Sequence, residues 1–376
     1  MLNIIIGLFI FCIVLFFYLH IQFHLKTGDD LEIYEIEQAS KDKMEEICDL
    51  RQPVLFDCDE DGSKIIQTTN KDFLLENYHI FEVKIRDSLD IDTASELYVP
   101  LLLRVANKLF VDDKQSLYFS ENNTDFLVET GAVKNMMYND EFLRPHLVSN
   151  CNYDVMFGSN GVTTPFRYEL NYRNYFMVTQ GSVKIKLSPP KSTRYLYPVN
   201  DYENFEFRSP INPWAPQPKF RTDFDKIKCL EIVLTPGKYL FIPAYWWYSF
   251  KFSENTSISC FRYRTYMNNI AISPNICMYA LQNQNVERKI AKKIDIKNLA
   301  YSENENTYKV DDSGETGINS MNYYNENNES NNDTTNITDI NVTDINVTQD
   351  IPPILLDTHI FQTADDNANT HSASAI

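Results

Sequence analysis

Two segments of this chain share one plan: a run of β-formers, a tight turn at glycine, and a second run of β-formers. They are YFMVTQGSVKIKLSPP, Tyr175 to Pro190, and CLEIVLTPGKYLFIP, Cys229 to Pro243. Each reads as a hairpin-like unit. Other short strands rich in Val, Ile, Phe and Tyr surround them, parted by Asn, Gly and Pro turns. Many short strands of this kind predict a mainly β body, a sandwich or barrel. LRQPVLF, Leu50 to Phe56, reads as its first strand. TASELYVPLLLRVANKLF, Thr93 to Phe110, has helical apolar spacing despite Pro100.

Ahead of the body, Leu2 to Phe23 contains no Asp, Glu, Lys or Arg, a run about the length needed to cross a bilayer. A cleaved signal peptide would want a basic start and a small-residue cleavage site. Bulky Phe, Tyr, Leu and His fill the far end instead, so the reading is an uncleaved anchor over 1–25. Lys26 followed by Asp29 and Asp30 gives the positive-inside rule almost nothing to count, and the side of the membrane stays open. Residues 26–48 are charged and helix-like and read as a stalk, the body follows over 49–265, and a helical segment occupies 266–298, its pattern beginning near Arg264.

Residues 299–376 are low in hydrophobic content and crowded with Asn, Asp, Ser and Thr, the composition of a disordered tail. Of the net charge of −18, the stretch from Tyr301 carries 14 acidic residues and one lysine, a net of −13, leaving −5 for the first 300 residues. That balance argues against nucleic acid as a general partner. The tail holds a near-repeat, NITDI-NVTDI-NVTQD, and one apolar patch, Ile351 to Phe361, either a docking motif or a chance cluster. Asn122, Asn255, Asn328, Asn332, Asn336, Asn341 and Asn346 each begin N-x-S/T. These are glycan sites if the body faces a lumen, and otherwise a product of Asn-rich composition. Seven scattered cysteines (Cys12, Cys48, Cys58, Cys151, Cys229, Cys260 and Cys277) show no CxxC or zinc-like spacing and read as buried free thiols, with a disulfide open for a lumenal body.

Two motifs in order are more specific. The first is Thr164-Pro165-Phe166-Arg167-Tyr168-Glu169, then Gly181, then Pro189-Pro190. The second runs Pro236-Gly237-Lys238-Tyr239-Leu240-Phe241-Ile242-Pro243 into Trp246-Trp247-Tyr248. Together they resemble the cupin-like Jumonji-C family, and within it the asparaginyl hydroxylase class that acts on hypoxia-inducible factor. The family pattern is T-P-x-H-x-D, a glycine turn, Pro-Pro, and later P-G-D-x-L-x-I-P leading to W-W-H. The resemblance spans about Asn160 to Phe252 and fades back toward Leu50. It implies a double-stranded β-helix, a jelly-roll barrel whose mouth holds Fe(II) and 2-oxoglutarate on two histidines and a carboxylate.

Here the ligand positions hold Arg167, Glu169 and Tyr248. Residues i and i+2 of a strand share a face, so Arg167 and Glu169 are both expected in the pocket. Arginine has no lone pair for a metal. Of six histidines only His79 and His146 lie in the body, and neither sits on the site strands. The expectation is therefore that Arg167 supplies the metal's positive charge, Glu169 pairs with it, and Tyr248 donates a phenolic hydrogen bond. At the cosubstrate positions the resemblance places Thr164, equally a turn residue, and Val183, where the class has a lysine; Lys184 next to it is expected to point away. Trp246 and Trp247 form either an aromatic platform or packing, and Trp214 in the proline-rich loop is the better exposed candidate for a partner. The Tyr-rich stretch Thr193 to Phe207 suits a peptide or glycan, or strand packing.

The reading is a membrane-anchored Jumonji-C-like pseudoenzyme that binds or scaffolds a protein or peptide, with no cofactor expected. One rival is a 2-oxoglutarate-dependent hydroxylase using unconventional Fe(II) ligands. The other is a glycosylated surface protein. Related enzymes carry dimerisation helices where the segment after Arg264 lies, which by analogy suggests a homodimer.

Overall fold

The computed structural model describes residues 2–37, 40–89, 95–284, 289–292 and 294. The tail, its sequons, near-repeat and apolar patch lie outside the described residues. The strands are β1 (Tyr34–Ile36), β2 (Val54–Asp57), β3 (Glu82–Asp87), β4 (Val99–Leu102), β5 (Tyr118–Ser120), β6 (Val148–Gly158), β7 (Arg167–Tyr168) and β8 (Arg173–Gln180). They continue with β9 (Val183–Ser188), β10 (Val199–Asp201), β11 (Glu206–Arg208), β12 (Leu230–Leu234), β13 (Lys238–Phe241), β14 (Trp247–Phe252) and β15 (Ser257–Thr265). The helices are α1 (Leu2–Leu25), α2 (Lys41–Cys48), α3 (Glu60–Thr69), α4 (Lys71–Tyr78) and α5 (Leu103–Asp112), then α6 (Thr124–Glu129), α7 (Val133–Tyr138), α8 (Arg221–Phe224), α9 (Tyr266–Ala271) and α10 (Ser273–Gln284).

Among the described residues the strands form two sheets. The larger runs β1-β2-β13-β8-β15-β6-β5-β3-β4, the smaller β10-β11-β7-β14-β9-β12. From β6 to β9, and again from β12 to β15, consecutive core strands alternate between the sheets. This is the double-stranded β-helix that the resemblance implies. The two units expected as hairpins are corners instead. β8 and β9 do not pair with each other; β8 pairs with β13 and β15, while β9 pairs with β12 and β14. The glycine turn thus carries the chain from one sheet to the other. Gly181 has φ +71°, and a Cβ there would lie 2.7 Å from Thr256 Oγ1, so the corner requires glycine.

Period-two alternation explains the layers. On β8, Phe176 and Val178 face the barrel interior with Ile185, Leu187, Leu240 and Phe250. Tyr175 and Met177 face the other way, onto a second core with Met44, Ile65, Leu74, Phe126 and Met136 from the helices. The larger sheet is therefore covered on both faces.

Three expectations need correcting here. Thr93 and Ala94 lie outside the described residues, and within the rest of that segment the helix begins only at Leu103. Pro100 lies in β4, which pairs with β3 alone, and a residue lacking N–H suits such an edge strand. The segment expected as a stalk belongs to the domain: β1 pairs in parallel with β2, and Met44 and Cys48 of α2 are buried. The connection after α1 is held too, since Gln52 donates to Asp30 at 2.9 Å and the Lys191 N–H donates to Asp29 at 3.0 Å. Gly28 crosses so close to the Arg51 carbonyl oxygen that a Cβ would sit 2.5 Å from it. Lastly, Arg264 and Thr265 complete β15, and helix begins at Tyr266; residues 285–288 lie outside the described residues.

α1 is long and apolar enough to cross a membrane, by length and composition. All seven cysteines are free. Cys12 and Cys277 are exposed rather than buried, while Cys48 and Cys260 are fully enclosed.

Candidate functional site

The site is built where β7 meets its neighbours. Thr164 fixes the approach: its N–H donates to the Phe250 carbonyl and its Oγ1 accepts the Phe250 N–H, both at 2.9 Å. Three residues on, Arg167 lies opposite Tyr248 of β14 on one side and Arg208 of β11 on the other.

Arg167 does not hydrogen-bond to Glu169. Its guanidinium is held by Glu121, at 2.5 and 3.0 Å, and by Glu206 at 3.0 Å. Arg86 of β3 binds the same two carboxylates, donating to Glu121 at 2.8 Å and to both Glu206 oxygens at 2.9 and 3.0 Å. Arg208 adds a further bond to Glu206 at 2.7 Å. All five side chains are buried, and each carboxylate is shared between guanidiniums.

Glu169 belongs to a second cluster. The Tyr248 hydroxyl donates to its Oε1 at 2.5 Å, Arg262 Nε donates to both oxygens at 2.9 and 3.0 Å, and Asn171 donates to Oε2 at 2.6 Å. Arg262 reaches on to Asp154, 3.5 Å away, which also accepts the N–H groups of Asn122 and Asn123. The clusters meet where the Arg167 guanidinium lies 5.7 Å from the centre of the Tyr248 ring.

Burial and pairing act on these groups in opposite directions. Burial would raise the Glu121 and Glu206 carboxyls, but Arg167 and Arg86 outweigh it and hold both below the ordinary glutamate range. Glu169 is likewise lowered, with Arg262 and the Tyr248 hydroxyl overcoming burial. Burial, reinforced by Glu169, pushes the Tyr248 phenol well above its usual value, so it stays a donor. Burial also raises Asp154, opposed by Arg262.

Beside these clusters opens a cavity of about 510 Å³. Its wall carries the carboxamides of Asn122, Asn150, Asn152 and Asn171, with Arg264 and the α10 residue Tyr279 closing one side. Arg264 Nε donates to Asn171 at 2.6 Å, and its guanidinium lies over the Phe205 ring at 4.9 Å.

These residues do not fit an iron ion. At the three positions that the resemblance gives to ligands stand a guanidinium without lone pairs, a carboxylate whose two oxygens already accept four hydrogen bonds, and a phenol whose proton points at that carboxylate. Among the described residues no group of three His, Cys, Asp or Glu side chains is placed to hold a metal ion. The cosubstrate positions do not converge on the cavity either. Thr164 is spent on Phe250, Val183 is packed in the barrel core, and Lys184 is exposed, facing away as alternation requires.

None of the three tryptophans lines the cavity. Trp246 is buried and donates to the Arg51 carbonyl at 3.1 Å; Trp247 donates to Thr193 Oγ1 at 2.9 Å and packs on Phe166. Trp214 lies away from the cavity wall, partly covered, bonded to Ser249 Oγ at 2.9 Å with Lys186 Nζ 4.8 Å from its ring centre. Within the Tyr-rich stretch the residue that matters is Glu206. Sequence reading missed Arg86, Glu121, Glu206, Arg208, Asp154, Arg262 and Arg264. The signal available was charge alternating with aromatics in EFR (206–208) and FRYR (261–264), where every second residue shares a face.

Fold and site define a cupin of Jumonji-C type, with Arg167, Glu169 and Tyr248 at the positions that the resemblance gives to the metal ligands. The chain belongs to the cupin-like domain family, which it matches over residues 38–270, more than half its length. It is similar to HSPB1-associated protein 1 of Mus musculus and of Homo sapiens, each 32% identical over 103 residues, or 27% of this chain and 21% of the relative. HSPB1-associated protein 1 homolog of Danio rerio is 27% identical over 103 residues, covering 27% of this chain and 23% of the relative. The chain thus spans about a fifth of the length of the curated relatives it matches.

Proposed function

We propose that this chain is a membrane-anchored Jumonji-C-like cupin whose barrel mouth is a recognition pocket and not an oxygenase centre. The observation that carries the reading is Arg167, placed at a ligand position and neutralised by Glu121 and Glu206. Arg86 and Arg208 occupy the same two carboxylates, so guanidiniums already supply the positive charge that these acids require. A protein or peptide segment is the ligand class that suits the cavity. The Asn122 and Asn150 carboxamides of its wall can both donate and accept, as a peptide backbone demands. The name of the relatives, HSPB1-associated protein 1, speaks of a protein partner for those proteins and supports the same class here.

Anaerobic calorimetry of the full-length chain in detergent, titrated with Fe(II) plus 2-oxoglutarate, tests the reading. A folded sample giving no saturable heat supports it. One-to-one binding at micromolar affinity overturns it in favour of a hydroxylase with unconventional ligands.

A further inference from the structure

The end of α1 rests on the domain. His24, in its last turn, is buried, shares a hydrogen bond of 3.2 Å with Thr265 Oγ1, and has its ring 5.1 Å from that of Tyr172. The Arg51 guanidinium sits between two rings, 5.0 Å from the centre of Phe23 and 4.7 Å from that of Tyr172. Beside this joint opens a groove of about 440 Å³, walled by Leu19 and Phe23 of α1 and by Pro145, Leu147, Tyr266 and Met267 of the domain. Its exposed lining is mostly apolar.

Two of these side chains face solvent to a degree unusual for their type: Leu147 is 79% exposed and Tyr266 63%. They are neighbours, the Tyr266 N–H lying 3.4 Å from the Leu147 carbonyl. Leu147 has φ +53°, a conformation leucine rarely adopts, so the fold holds it outward at a conformational cost. Depth gives the pair a meaning. The 24 residues of α1 rise about 36 Å at roughly 1.5 Å each, whereas a hydrocarbon core is about 30 Å thick. A helix spanning from its first turn would therefore leave the hydrocarbon about four residues before its end. The groove then lies at the boundary between acyl chains and headgroups, where amphipathic Tyr is favoured.

We propose that the groove is a lipid site, in which Leu147 and Tyr266 enter the bilayer boundary and part of one phospholipid acyl chain lies against Leu19, Phe23 and Met267. The occupant is set by continuity, because the groove runs directly on from the apolar surface of α1. The proposal rests on the reading of α1 as an anchor.

The test uses the full-length chain reconstituted in phosphatidylcholine vesicles, with four separate substitutions: Ile10→Trp in α1, Leu147→Trp, Tyr266→Trp, and Val233→Trp on the exposed edge strand β12. Because both groove positions are exposed, the fold should accept tryptophan. The added emission is read against brominated phosphatidylcholine and against aqueous acrylamide. Expected is lipid quenching by at least half for Ile10→Trp, Leu147→Trp and Tyr266→Trp, and acrylamide quenching for Val233→Trp alone. If Ile10→Trp is quenched by lipid while both groove variants follow Val233→Trp, the lipid site is overturned and the anchor stands. Shielding of the groove variants from both quenchers would mean a covering protein surface, such as a second copy, and also overturns it. If lipid fails to reach Ile10→Trp, the anchor reading falls and this proposal with it.

Discussion

Tyr248 stands directly across from Arg167 in the β7–β14 pair, yet its hydroxyl bonds Glu169 and leaves the guanidinium to Glu121 and Glu206. The three positions that resemble a ligand triad are thus divided between two hydrogen-bonded clusters, which makes their contributions separable by mutation.

Arg167→Leu should cost about 1.5–3 kcal/mol or more, because it takes charge-assisted hydrogen bonds from two buried carboxylates that keep only Arg86 and Arg208. Urea unfolding would measure it. The double variant Arg167→Leu/Glu121→Leu should lose less than the sum of the two single changes, since each alone leaves the other's charge only partly compensated. Unchanged stability of Arg167→Leu would mean that the network is solvated and contributes little.

Acid should unfold the protein through the same groups. Glu121, Glu206 and Glu169 have folded pKa values below the ordinary 4.5, so their stabilisation is complete above that value. It is lost as pH falls from there through the folded values. Asp154, raised by burial, has the opposite sign: its contribution diminishes as pH rises past its ordinary range. Unfolding free energy measured from pH 7 to pH 3 should fall steeply at the acid end, and Glu206→Gln should flatten that limb.

Tyr248→Phe removes one donor from Glu169 and leaves Arg262 and Asn171 in place. A hydrogen bond to a charged group is worth about 1.5–3 kcal/mol, and a loss of that order is expected. The Glu169 pKa should rise toward 4.5, a shift that carboxyl ¹³C chemical shifts would report.

Gly28→Val would push a side chain into the Arg51 carbonyl, which also accepts the Trp246 indole N–H. Destabilisation of about 1–3 kcal/mol is expected from such overpacking. Trypsin should then cut after Lys26 faster than in the parent, and equal cleavage rates would show that the connection is already loose.

How far the sequence spoke depends on the range of the interaction. The strand periodicity placing Arg167 and Glu169, and the donor role of Tyr248, are local and were legible. The partner of Arg167 was not, because Glu121 and Glu206 lie 46 and 39 residues away in sequence and only topology brings them together. The corners were misread as hairpins because a glycine turn looks alike whether the second strand folds back or changes sheet. The supposed stalk carried its own correction. Met44, Ile47 and Cys48 recur at helical spacing among charges, the mark of a helix with one buried face.

A pocket charged by a bound ion is conditional: chelators strip it, oxidants change its valence, and supply limits its occupancy. In this barrel the positive charge at that place is covalent. Arg167 is charged from the moment the chain folds, and no metabolite or metal shortage withdraws it. On the proposed function, recognition at such a mouth would be constitutive, governed by how much of the protein is present and where, not by the iron or oxygen status of its surroundings.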